Sequence, residues 1–126
     1  MKEEKIALCP CNGMGPYGLI ARAASSDLVE ESSDKISICI TATSADRENF
    51  IDLIKKYPLI AINGCEHACV DHIMKNKGVK VSGSMNVMEP LMQKELEPGD
   101  VSRLGKSGEK CVLEIKKEIN DLIQEK

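Results

Sequence analysis

The chain has 126 residues, 42% hydrophobic and 29% charged, with a formal net charge of -3 from 17 basic and 20 acidic side chains. That is one domain's length, enough to bury a core without disulfides or metals to hold it. The acidic balance argues against a nucleic-acid backbone as partner, the single Phe and two Tyr leave little to stack on bases, and no stretch approaches the roughly 18 apolar residues of a membrane helix.

The first residues, MKEEKIALCP, have an apolar run too short for a secretory leader, and two glutamates precede it. A cytoplasmic chain with reduced thiols is therefore expected. KIALC (5–9) reads as a strand and GPYGLIARAASSDLVEE (15–31) as a helix, with Pro16 suited to its first turn. KISICI (35–40) is a second strand. TSADRENFIDLIKKY (43–57) is a helix in which Thr43 and Asp46 form a capping box, Glu48 serves the helix start, and Phe50, Leu53 and Ile54 make the apolar face. PLIAI (58–62) is a third strand, CEHACVDHIMKNK (65–77) a helix stopped by Gly78, and VKVSG (79–83) a fourth strand. VMEPLMQK (87–94) suggests a short helix. The tail from about 107 to 125 is a long one, its apolar stripe carried by Cys111, Ile115, Ile119, Leu122 and Ile123. Apolar strands alternating with helices imply a single three-layer α/β domain over residues 1–126. Its open, mostly parallel sheet of about four strands has helices on both faces, resembling half of a Rossmann domain.

Six cysteines in a reducing compartment are better read as metal ligands, reactive thiols or core residues than as a disulfide framework. On this map Cys9 ends the first strand and Cys11 lies in the loop after it, Cys39 nears the end of the second, and Cys65 follows the third with Cys69 four residues on. In a parallel sheet these positions share the carboxyl edge, where α/β proteins bind ligands. Cys65 and Cys69, at i and i+4, would share one helical face. Two thiolates from that turn and two from neighbouring strand ends could make a tetrahedral zinc site, with helix amino ends favouring its negative charge. Gly64 would permit the tight turn after the third strand, and Gly13 and Gly15 a turn able to receive an anion after the first.

PCNGMGPYG (10–18), SICI (37–40) and NGCEHACV (63–70) together resemble the DGC-domain family, a family of proposed zinc-binding proteins. The likeness runs over roughly residues 5–85 in matching order and compatible spacing. It implies zinc as the cofactor and Cys11, Cys39, Cys65 and Cys69 as its ligands. Asn63 stands where the family's naming aspartate would be, and Asn12 where a serine is usual.

Other readings compete for the same residues. Cys111 suits a core position; so does Cys9, which could otherwise serve as a spare ligand. His67 should be solvated, and His72 should pack on the lower helix unless it is an auxiliary ligand. Met85, Met88 and Met92 read as core filler. Gly13, Gly15 and Gly18 form a G-x-G-x-x-G, but no acidic residue ends the second strand as a dinucleotide site needs. The alternative to zinc is thiol redox or sulfur-transfer chemistry, with Cys11 and Cys65 as candidate nucleophiles; an iron–sulfur cluster is a further use of four thiolates. The metal ion is the expected partner, with no nucleic acid and no membrane.

Overall fold

A computed structural model describes residues 5–11, 15–64, 67–98 and 105–124. The chain forms β1 (Ile6–Pro10), α1 (Pro16–Glu31), β2 (Lys35–Ser37), α2 (Ile40–Ser44), α3 (Glu48–Lys56), β3 (Leu59–Asn63), α4 (Cys69–Asn76), β4 (Gly83–Asn86), α5 (Met88–Gln93) and α6 (Lys106–Gln124). The four strands make one sheet in the order β2-β1-β3-β4. Every pairing is parallel, with Leu8 opposite Ser37 and Ile60, and Ile62 opposite Met85. This is the α/β sheet the alternation of elements implies.

Strand side chains alternate between faces, and the two cores divide accordingly. Leu8, Ile60 and Ile62 pack with Ile20, Ala24 and Leu28 of α1, Leu91 of α5, and Cys111, Val112, Ile115 and Ile119 of α6. On the other face Ala7, Cys9, Leu59 and Ala61 meet Ile40 of α2, Ile54 of α3, and Val70 and Met74 of α4. The α6 stripe is buried as its spacing predicts at Cys111, Ile115 and Ile119, with Leu122 and Ile123 half-buried. Removing each such branched side chain from water is worth about 1.5–3 kcal/mol. No described helix is long and apolar enough to cross a membrane.

Several expectations are corrected. β2 stops at Ser37 instead of 40, because Cys39 caps a new helix: its Sγ accepts the Ala42 N–H at 3.5 Å. The single helix over 43–57 is two. Thr43 lies inside α2 and donates its hydroxyl to the Cys39 carbonyl at 2.8 Å, so it caps nothing downstream. Asp46 turns the chain between the helices with φ 62 and pairs with Lys77; a short polar side chain tolerates that left-handed conformation. Glu48 does open α3. The helix expected from 65 starts at Cys69, after Ala68 at φ 52, and Gly78 at φ 76 follows its end. Strand four lies at Gly83–Asn86, not 79–83. At the sheet's edge it needs little apolar surface, and Val79 and Val81 pack from the loop before it. Met92, expected in the core, is 63% exposed, and His72, expected to pack, is exposed.

Candidate metal centre

β1 sends its connection to β2 on one side, while β3 lies on its other side, so the strand order reverses between β1 and β3. A crevice opens outside the carboxyl ends at such a point. Cys11 stands there. Its N–H donates to the Ile62 carbonyl at 2.8 Å, carrying the ladder one residue past Pro10, and its half-buried side chain touches both cores. The crevice is tight because of Gly64. A Cβ at that position would lie 3.1 Å from the Gly18 Cα and N and 3.2 Å from the Cys11 Sγ, so only glycine lets the first turn of α1 settle on the end of β3 without displacement. Gly15 precedes α1 with no side chain to cap it, and nothing crowds it. Gly13 and Cys65 lie outside the described residues.

Cys69 is the first residue of α4 and is exposed. An open cleft of about 310 Å³ joins it to Cys11, lined besides by Ile40, Thr41, Ser44, Val70 and Ile73. Thiols from the end of β1 and the start of α4 thus meet one mainly apolar hollow. Cys39, also exposed, opens onto a second cleft of about 250 Å³ with Arg22, Ser26 and Ser37; Ile40 lines both. Cys9 lies beneath, fully buried. Burial pushes its thiol up to about 12, and the nearby Cys39 and Cys11 sulfurs push in the same direction. Cys111 sits in the α1–α6 core, where burial also raises its thiol. No disulfide joins the described cysteines.

Of the four thiols implied as ligands, Cys11 and Cys69 share a cleft, and Cys39 lines a second cleft that has Ile40 in common with it. Among the described residues no three His, Cys, Asp or Glu side chains are grouped to hold an ion. By chemistry the donors suit a soft ion, since thiolates favour zinc and iron–sulfur clusters over hard cations.

Sequence reasoning missed the polar junction beside this crevice. Asn63, 2% exposed at the end of β3, accepts the Val70 N–H at 3.0 Å and donates to Asp71 at 2.6 Å. Ser84 of β4 donates to the same Asp71 oxygen at 2.7 Å. The signals available were a polar residue closing an otherwise apolar strand, LIAIN, and the departure at Asn63 from the family's naming aspartate.

The sequence profile of the DGC domain matches residues 7–120, nearly the whole chain. The chain belongs to the DGC-domain family. Searches of curated proteins and of solved structures give no match. The DGC match runs from within β1 to most of α6, and its span takes in Cys11, Cys39, Cys65 and Cys69.

Proposed function

We propose that this DGC protein binds one zinc ion through the thiolates of Cys11, Cys39, Cys65 and Cys69 at the crevice between β1 and β3. The observation that carries the reading is the cleft shared by Cys11 and Cys69, two thiols distant in sequence. Cys39, in a second cleft that shares Ile40 with the first, is the third thiol of the set. Four thiolates would close the coordination sphere, and a closed zinc site is structural or sensory because catalytic zinc keeps a position open. When bound, the ion would supply a cross-link between segments that follow three different strands. The chain's own part is to deliver the sulfurs: β1 and its bond to Ile62 hold Cys11, α2 is capped by Cys39, and α4 begins at Cys69. A cytoplasmic setting, where thiols stay reduced, suits this use.

The test is metal content per chain after anaerobic purification, for the wild type and for C11S, C39S, C65S and C69S. One zinc per chain, reduced in each variant, is the expected result. Content far below one that supplied zinc or iron does not raise would contradict the proposal. Rapid alkylation of Cys39 or Cys69 in that same protein would point instead to thiol redox chemistry, which both residues' exposure favours.

A further inference from the structure

The junction between β3 and α4 has a donor–acceptor pattern that one amide side chain completes with both its oxygen and its nitrogen. The Val70 N–H must donate, so the oxygen of the Asn63 side chain must face it; the Asp71 carboxylate must accept, so the nitrogen faces Asp71. The same nitrogen reaches the Met85 carbonyl at 3.2 Å and the Ser84 hydroxyl at 3.4 Å. One buried side chain therefore ties the end of β3 to the first turn of α4 and to β4. Ala68, immediately before Cys69, is held at φ 52 and ψ 50. A non-glycine residue keeps such a conformation only where its surroundings enforce it, and the Asn63 bonds land on the two residues directly after Cys69.

We propose that Asn63 is a positioning residue for Cys69, with Asp71 as its hydrogen-bond partner: the pair fixes the amino end of α4 against β3 and so sets where the Cys69 sulfur stands in the cleft. The effect on ion binding rests on the metal-binding reading above; the positioning of α4 does not. N63D keeps an oxygen toward Val70 but sets two carboxylates against each other at hydrogen-bond distance. N63D/D71N restores the bonds to Val70 and to residue 71 with amide and carboxylate exchanged, and the Ser84 hydroxyl can accept as well as donate, while the Met85 carbonyl loses the donor that Asn63 gave it.

The experiment compares wild type, N63D, D71N and N63D/D71N by two measurements. One is cobalt(II) affinity, followed by thiolate-to-metal absorption. The other is hydrogen exchange of the peptide spanning 67–74. N63D should weaken cobalt(II) binding by roughly 10–100-fold, the usual effect of losing a group that orients a ligand, and should speed exchange in that peptide. D71N alone should do less, because an amide oxygen still accepts, and the double variant should recover part of both losses, the Met85 carbonyl still lacking its donor. A double variant no better than N63D in either measurement would overturn the proposal. If wild type takes up no cobalt(II), the metal reading fails by itself and the exchange pattern still decides the role of Asn63. If N63D does not fold, a folded double variant supports the pairing and an unfolded one refutes it.

Discussion

Gly64→Ala probes the tightest place in the crevice. The added Cβ would lie 3.1 Å from two backbone atoms of Gly18 and 3.2 Å from the Cys11 Sγ, whereas carbon contacts rest at about 3.5–4.0 Å. Its neighbours must retreat by several tenths of an ångström. The sulfur can do so by rotating; the Gly18 backbone, in the first turn of α1, cannot move without shifting the helix on the sheet. Overpacking of this kind costs about 1–3 kcal/mol, and alanine's smaller conformational freedom in the unfolded chain offsets about 0.4–1 kcal/mol. The net loss is about 1.5 kcal/mol, which for a chain of this size lowers Tm by roughly 4–8 °C. Urea unfolding monitored by circular dichroism measures it. A variant as stable as wild type, or more so, would refute the argument that the β1–β3 crevice closes on this glycine.

Three further outcomes follow from the same geometry. The Cys9 thiol, pushed up to about 12 in the folded chain, holds its proton after the unfolded chain has begun to lose it. Its stabilisation is therefore complete below the ordinary thiol range and is lost as pH rises toward 12, by up to about 1.4 kcal/mol per pH unit. Urea midpoints from about pH 8 to 10.5 should fall less steeply in Cys9→Ala than in wild type, and parallel slopes would contradict the assignment. Ala68→Gly removes the cost of a left-handed alanine, about 1–2 kcal/mol, against about 0.4–1 kcal/mol of extra unfolded-state freedom, so thermal melting should show stability unchanged or slightly raised; a clear loss would mean that Ala68 is unstrained. Ile115→Ala, in the core between α6 and the sheet, should cost about 2–5 kcal/mol by denaturant titration, and a loss below that range would mean that α6 is not anchored there.

Much of this fold is visible in one sequence because its longest signals are periodic. The LIAI run of β3 and the α6 stripe each have one reading; the first is buried throughout and the second at Cys111, Ile115 and Ile119. Where the reading failed, a local pattern lost to a distant contact. ICI after Ser37 has the apolar content of a strand, yet Ile38 and Ile40 are buried as the chain leaves the sheet, and periodicity cannot separate those cases over so few residues. CEHACV has helical character, but Asn63 takes the Val70 N–H and the helix begins at Cys69. β4 lies at the sheet's edge, where polar side chains such as Ser84 and Asn86 are tolerated. The candidate site divides similarly. Placing cysteines at strand ends needed only the alternation of strands and helices. That Cys11 and Cys69 meet in one cleft depends on β1 lying beside β3, and that Asn63 finds Asp71 and Ser84 depends on residues from two later elements.

The central claim concerns four sulfurs around one ion, and X-ray absorption at the zinc edge counts them directly. Zinc-loaded protein, prepared without oxygen, should show a first shell of four sulfur neighbours at about 2.3 Å. A first shell dominated by nitrogen or oxygen, or a protein that retains no zinc, would contradict the account.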